Sequence, residues 1–148
     1  MIKDFIFYGF LGWIMEVFWT GIIALKRGDK KLVGYTYLYM FPIYGCAVFM
    51  EPVFMLLHST NFVVRGLIYM LCIFSAEYVS GYILERAVGV CPWDYSRVKY
   101  SVDGFIRLDF APIWFAVGLW FEYVYIKILY ILRHFFIMQK IKKLPSHK

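Results

Sequence analysis

Charge is scarce in this sequence. Asp, Glu, Lys and Arg make up 18% of its 148 residues, against about 25% in an average globular protein. Cysteine occurs three times, an odd number with no Cys-x-x-Cys spacing. Neither a disulfide framework nor a structural zinc site is implied. The three histidines, His58, His134 and His147, sit at span ends or in the tail, so a di-metal carboxylate cluster lacks its nitrogen ligands and no metal or other cofactor is expected. Phosphate-binding Gly-x-x-x-x-Gly-Lys loops are missing, as are Gly-x-Ser-x-Gly and His-Glu-x-x-His. This chain therefore brings no ATPase, serine-hydrolase or zinc-protease motif.

What fills the sequence is apolar surface. Hydrophobic residues are 62% and aromatics 22%, with a mean hydropathy of +0.64. A soluble domain of this length buries about 70% of the surface of its unfolded chain. That is too little to hide such a composition. The class that remains is an all-α integral membrane protein, read as a single membrane domain over 1–148.

A crossing helix needs about 20 mostly apolar residues. Charges punctuate the chain at suitable distances and define four spans, about 5–25, 36–57, 66–84 and 110–132, followed by a basic tail at 133–148. Pro42 and Pro52 are expected to bend the second span. The first span is too long for a signal-peptide core and no small-x-small site follows it, so it is read as retained. Four spans put both termini on one side. The two faces carry eight and seven basic residues, so the positive-inside rule does not orient the chain. The net charge of +6 suits anionic lipid headgroups. The basic residues flank spans rather than forming one face, which speaks against a nucleic-acid partner.

Two segments align without gaps. Gly34-Tyr-Thr-Tyr-Leu38-Tyr-Met-Phe-Pro42-Ile43-Tyr44 leads into the second span, and Gly104-Phe-Ile-Arg-Leu108-Asp-Phe-Ala-Pro112-Ile113-Trp114 into the fourth. Both read Gly-aromatic-x-x-Leu-x-x-x-Pro-Ile-aromatic. The expectation is two parallel helix–loop–helix repeats related by an axis along the membrane normal.

Each span also carries one glutamate near its middle: Glu16, Glu51, Glu77 and Glu122. A charge at that depth costs about 2.5–3.5 kcal/mol on insertion scales. Four lipid-facing carboxylates would be unreasonable, so these residues are expected to face a polar midplane site or to bond helices together. Small and polar neighbours such as Gly12, Thr20, Ser80 and Gly118 mark the same faces and allow close helix contact.

The connection from Glu85 to Asp109 is too long for a simple turn, and the sequence predicts a segment lying at the interface or partly re-entrant. Its Glu85, Trp93, Asp94, Tyr95, Arg97, Arg107 and Asp109 form a candidate loop or headgroup site. Two readings stand level: a lid meeting polar ligand groups, or an aromatic anchor built on a structural turn closed by Asp94 and Ser96.

Cys91-Pro-Trp-Asp-Tyr-Ser96, followed by Gly104-Phe-Ile-x-Leu108 and Trp114-Phe115, resembles the bacterial ABC-transporter type IV membrane family. Gly12-Trp13-x-x-Glu16, Pro42-Ile-Tyr-Gly45 and Glu77-x-x-x-Gly81-x-x-x-Glu85 fit the same pattern. The chain is also similar to the vertebrate transmembrane protein 229 family. The resemblance implies a multi-pass protein of the bacterial cytoplasmic membrane acting in transport. Without a nucleotide-binding motif it would be a permease-like component, and four helices would call for a homo-oligomer or membrane partner, with an ATPase on a separate chain. A fainter similarity, to membrane carotenoid cyclases, suggests a different chemistry: a lipid-modifying enzyme using buried acids as proton donors. A third expectation is a structural or assembly subunit whose acids only hold helices together.

Overall fold

The computed structural model describes residues 1–131, 134 and 135. The basic tail read at 133–148 and the last residue of the fourth span therefore lie largely outside the described residues. Helix α1 runs Ile2–Lys26 without a proline, and Gly28 turns the chain at φ +84°. Residues 32–37 have no regular secondary structure and run back along α1. A methyl group on Gly21 would sit 3.5 Å from the Leu32 carbonyl oxygen. Trp13 Nε1 donates to the Tyr37 carbonyl oxygen at 3.1 Å. The second span therefore begins later than the sequence suggests. Its helix starts at Met40, not at residue 36.

That span has three parts: α2 at Met40–Gly45, a 3-10 stretch at Cys46–Met50 and α3 at Glu51–Leu57. Pro52, in the first turn of α3, explains the middle part. It has no N–H for the carbonyl of Val48, and the Glu51 N–H takes that acceptor instead. The hydrogen-bond ladder tightens for one turn, as expected before a proline.

Helix α4 covers Phe62–Val88. The Asn61 side chain accepts the Val63 N–H at 2.8 Å and caps its start. Gly89, at φ +79°, ends it by donating to the Glu85 carbonyl. Beyond α4 the chain is not all coil. Two short antiparallel strands, β1 at Ser101–Val102 and β2 at Ile106–Arg107, pair Ser101 with Arg107 and Val102 with Ile106. Asp103 and Gly104 both take positive φ at the turn, as the primed hairpin turns require. Helix α5 follows at Ala111–Val124 and widens into a π-helical stretch, Tyr125–Tyr130.

Three helical stretches are long and apolar enough to cross a membrane: Ile2–Lys26, Met40–Leu57 and Phe62–Val88. At 1.5 Å per residue they reach roughly 37, 27 and 40 Å, against a hydrocarbon core of about 30 Å. The protein is thus an integral membrane protein of helical class. α1 packs on α2, and α4 on α5. The core is aromatic: Tyr8, Phe54 and Tyr69 are fully buried. Phe54 meets Tyr69 edge-on at 5.0 Å and Tyr125 at 5.9 Å, while Tyr8 stacks on Phe121 at 5.9 Å. These residues come from the start of α1, the middle of α3, the first half of α4, and the end of α5 with the π-helical stretch beyond it, so the tight packing lies away from the long connection.

Candidate functional site

Helix α1 carries Glu16 on the face that meets the returning chain. The Thr36 hydroxyl donates to Glu16 Oε2 at 2.6 Å and the Tyr44 hydroxyl to the same oxygen at 3.0 Å. Glycine makes this approach possible. A methyl group on Gly12 would strike the Tyr44 ring, and one on Gly9 would lie 2.8 Å from Phe41.

Glu77 on α4 is served in a matching way. Trp114 Nε1 donates to Glu77 Oε2 at 3.1 Å, and the Tyr95 hydroxyl hydrogen-bonds the same carboxylate. Tyr44 lies within electrostatic range of Glu77 and Tyr95, and Tyr95 within range of Glu16. Glu16 and Glu77, with their donors, thus make a candidate polar centre, linked by electrostatic range through Tyr44 and Tyr95. Two helices supply its acids, and the returning segments and helix starts supply its donors.

The long connection closes over this centre. Trp93 Nε1 donates to the Phe105 carbonyl oxygen at 2.9 Å, and the Tyr95 N–H donates to the Gly104 carbonyl at 3.0 Å. The hairpin rests on α4, where Phe105 meets Tyr78 edge-on at 5.4 Å and the Tyr78 hydroxyl donates to Asp103 Oδ2 at 2.7 Å. A methyl group on Gly81 would lie 2.9 Å from Phe105 and 3.3 Å from Trp93. Asp94 is exposed, and its Oδ1 accepts the Ser96 N–H at 2.9 Å. The hydrogen bonds from Ser96 hold the Asp94 carboxyl below the ordinary aspartate range, with Arg97 adding to the effect. Arg107 grips Asp109 through two bonds of 3.1 and 2.6 Å. That pairing lowers the Asp109 carboxyl and raises the Arg107 guanidinium. The guanidinium also sits 4.2 Å from the Phe110 ring centre and within electrostatic range of Glu77. Burial pushes the Tyr95 hydroxyl up, and the nearby Glu77 pushes it further. Glu85 and Arg97 are exposed.

The other two glutamates sit elsewhere. Glu122, on the buried side of α5, forms an ion pair with Arg65 Nε at 3.5 Å and lies 4.0 Å from His58 Nδ1. The Tyr69 hydroxyl lies within electrostatic range of it as well. Arg65 Nη1 donates to the His58 carbonyl oxygen at 2.8 Å. Arg65 and Glu77 are twelve residues apart on α4, roughly 18 Å along the axis. Glu122 is therefore held nearer the opposite end of the bundle from Glu77. Glu51 is buried at the start of α3.

Sequence reasoning did not single out Thr36, Tyr44, Trp114, Arg65 or Tyr69 as partners of these acids. A signal existed. Tyr44 and Trp114 close the two aligned segments, and a Tyr or Trp in an apolar interior needs a partner for its polar tip.

Among the described residues no group of His, Cys, Asp and Glu has the makings of a metal site. No solved structure matches this chain. A family model described as "Putative ABC-transporter type IV" matches residues 4–145. The chain belongs to that family. The segment carrying the family resemblance, Pro92-Trp-Asp-Tyr-Ser96, is the part of the connection that bears on Glu77: Trp93 fastens the hairpin, Asp94 and Ser96 make the turn, and Tyr95 reaches the carboxylate.

Proposed function

We propose that this chain is a permease-like transport component of the membrane in which Glu16 and Glu77 form the polar site and the Trp93-Asp94-Tyr95 loop covers one side of it. One observation carries the reading. Two mid-helix glutamates from separate long helices have neighbours, Tyr44 and Tyr95, that lie within electrostatic range of each other, although each acid is costly at that depth. Their present partners are neutral hydroxyls and an indole N–H, which a passing solute's own donors can replace.

The same reading takes Ala111–Tyr130 as the fourth crossing and the chain as two parallel repeats. It is supported by Tyr44 and Trp114. They hold equivalent places in the aligned segments, and each donates to the glutamate of the long helix before it. Both termini then lie on one side of a bacterial cytoplasmic membrane. Four helices make a short pathway, so a second copy or another membrane subunit completes it. A separate ATPase supplies the energy.

At Glu122 the contacts favour a structural role instead. Arg65 ties that carboxylate on α5 to the end of α3 at His58.

The test is solute uptake by proteoliposomes holding the full chain with its co-purifying subunits. Glu77→Gln keeps an acceptor for Trp114, so folding persists while the initial uptake rate falls at least about tenfold. Uptake that is unchanged in both Glu16→Gln and Glu77→Gln removes the polar centre from transport.

A further inference from the structure

A shallow groove runs along α1 beside the returning chain and α2. It consists of two adjoining depressions of about 460 and 300 Å³ that share Phe10 and Trp13. Each is at least ten times the roughly 30 Å³ share of a water molecule. The walls are almost wholly apolar: Phe41 and Pro42 line the larger depression and Ile14 and Phe18 the smaller, on either side of the shared Phe10 and Trp13. Thr36 is the single residue of the lining that also bonds the polar centre, through Glu16.

The end of α1 and the turn beyond it hold Lys26, Arg27, Lys30 and Lys31, all described, against one acid, Asp29. Asp29 is engaged locally, accepting the Lys31 N–H at 2.9 Å. Cations here also complement the negative end of the helix dipole. Lys26 and Phe10 are sixteen residues apart on α1, roughly 24 Å. Half of a membrane with its headgroups is about 20–22 Å. The spacing from basic turn to groove floor is therefore that of one phospholipid, from phosphate to chain end.

We propose that an anionic phospholipid binds here, its phosphate on the Lys26–Lys31 turn and one acyl chain in the groove over Trp13. Opposite charge at the turn selects the headgroup, and shape and apolarity below it select the chain. A chain in this position walls off Thr36 and Glu16 from the rest of the bilayer.

The test reads Trp13 fluorescence in vesicles of phosphatidylcholine and phosphatidylglycerol, with bromine on the acyl chains of one lipid at a time. Subtracting the signal of Trp13→Phe isolates the reporter from the other tryptophans. At equal mole fraction, brominated phosphatidylglycerol quenches Trp13 about threefold or more over brominated phosphatidylcholine. The preference disappears in the variant with Lys26, Arg27, Lys30 and Lys31 all changed to Gln, and in the native chain it shrinks as salt rises. Equal quenching by both lipids overturns the proposal. So does a preference that survives the four substitutions. If that variant does not fold, a preference insensitive to salt in the native protein overturns it equally. Protection of Trp13 that grows with protein concentration as dimers form assigns the groove to a second copy and overturns it too.

Discussion

Arg65 uses two faces of its guanidinium. Nη1 holds the last carbonyl region of α3 at His58, and Nε faces Glu122. The Glu122 side chain is 6% exposed and that of Arg65 19%, so the carboxylate carries more of the desolvation. Removing one partner of such a pair strands the other. Arg65→Met is expected to lower stability by about 2–4 kcal/mol, somewhat less than a fully buried pair because Arg65 keeps some solvent. The double change Arg65→Met with Glu122→Leu is expected to recover most of that loss. Thermal unfolding of the detergent-solubilised protein checks it. A double variant as unstable as the single one would mean that the pair stabilises rather than merely neutralises. Glu16 and Glu77 differ in kind, because their recorded donors are uncharged hydroxyl and N–H groups. The placing of Glu16 and Glu77 well inside long helices was legible from their distance to flanking charges. Their partners were not, since a linear count of residues says nothing about which helix faces which. Arg65 in particular reads as the boundary of a span, a position where a cation ordinarily has water.

Among the elements, the hairpin is the one the sequence reading left out. Its signal, Asp103-Gly104 between short β-prone runs, was present. The length of the connection and its aromatic residues, which suit an interface anchor equally well, mask it. Because Gly104 sits at φ +76°, Gly104→Ala is expected to cost about 1 kcal/mol in the turn. Amide exchange at Tyr95, whose N–H bonds the Gly104 carbonyl, should then quicken by about fivefold. Exchange at the centre of α4 should not change. The long helices were legible because hydropathy and span length are properties of composition. The start of the second one was not. Tyr35, Tyr37 and Leu38 are as suitable for an interface as for a helix, and transfer preference does not encode backbone shape. The tightened turn before Pro52 was foreseen only as a bend. Its detail depends on which N–H replaces the missing one at Val48.

For the molecule as a whole, the described residues gather a tight aromatic core away from the long connection and hold Glu16 and Glu77 by separate hydrogen bonds nearer to it. The proposed four-crossing arrangement predicts that cysteines introduced at Lys3 and Lys148 react with a membrane-impermeant maleimide from the same side. One at Lys99 should react from the other side. Labelling of Lys3 and Lys148 variants from opposite sides would reduce the chain to an odd number of crossings and would undo the parallel repeat.

The irregular stretch 32–37 has a consequence for the surrounding bilayer. The N–H groups of Val33 and Gly34 find no hydrogen-bond partner among the described residues, yet Gly34 packs against Val17 and Gly21, well inside α1. Hydrocarbon cannot solvate a peptide group. Water is expected to follow the chain from the basic turn as far as Gly34, above the acyl chain proposed over Trp13, so that the insulating layer there is thinner than the lipid alone would make it. The electric field and any permeability barrier would then be concentrated across what remains.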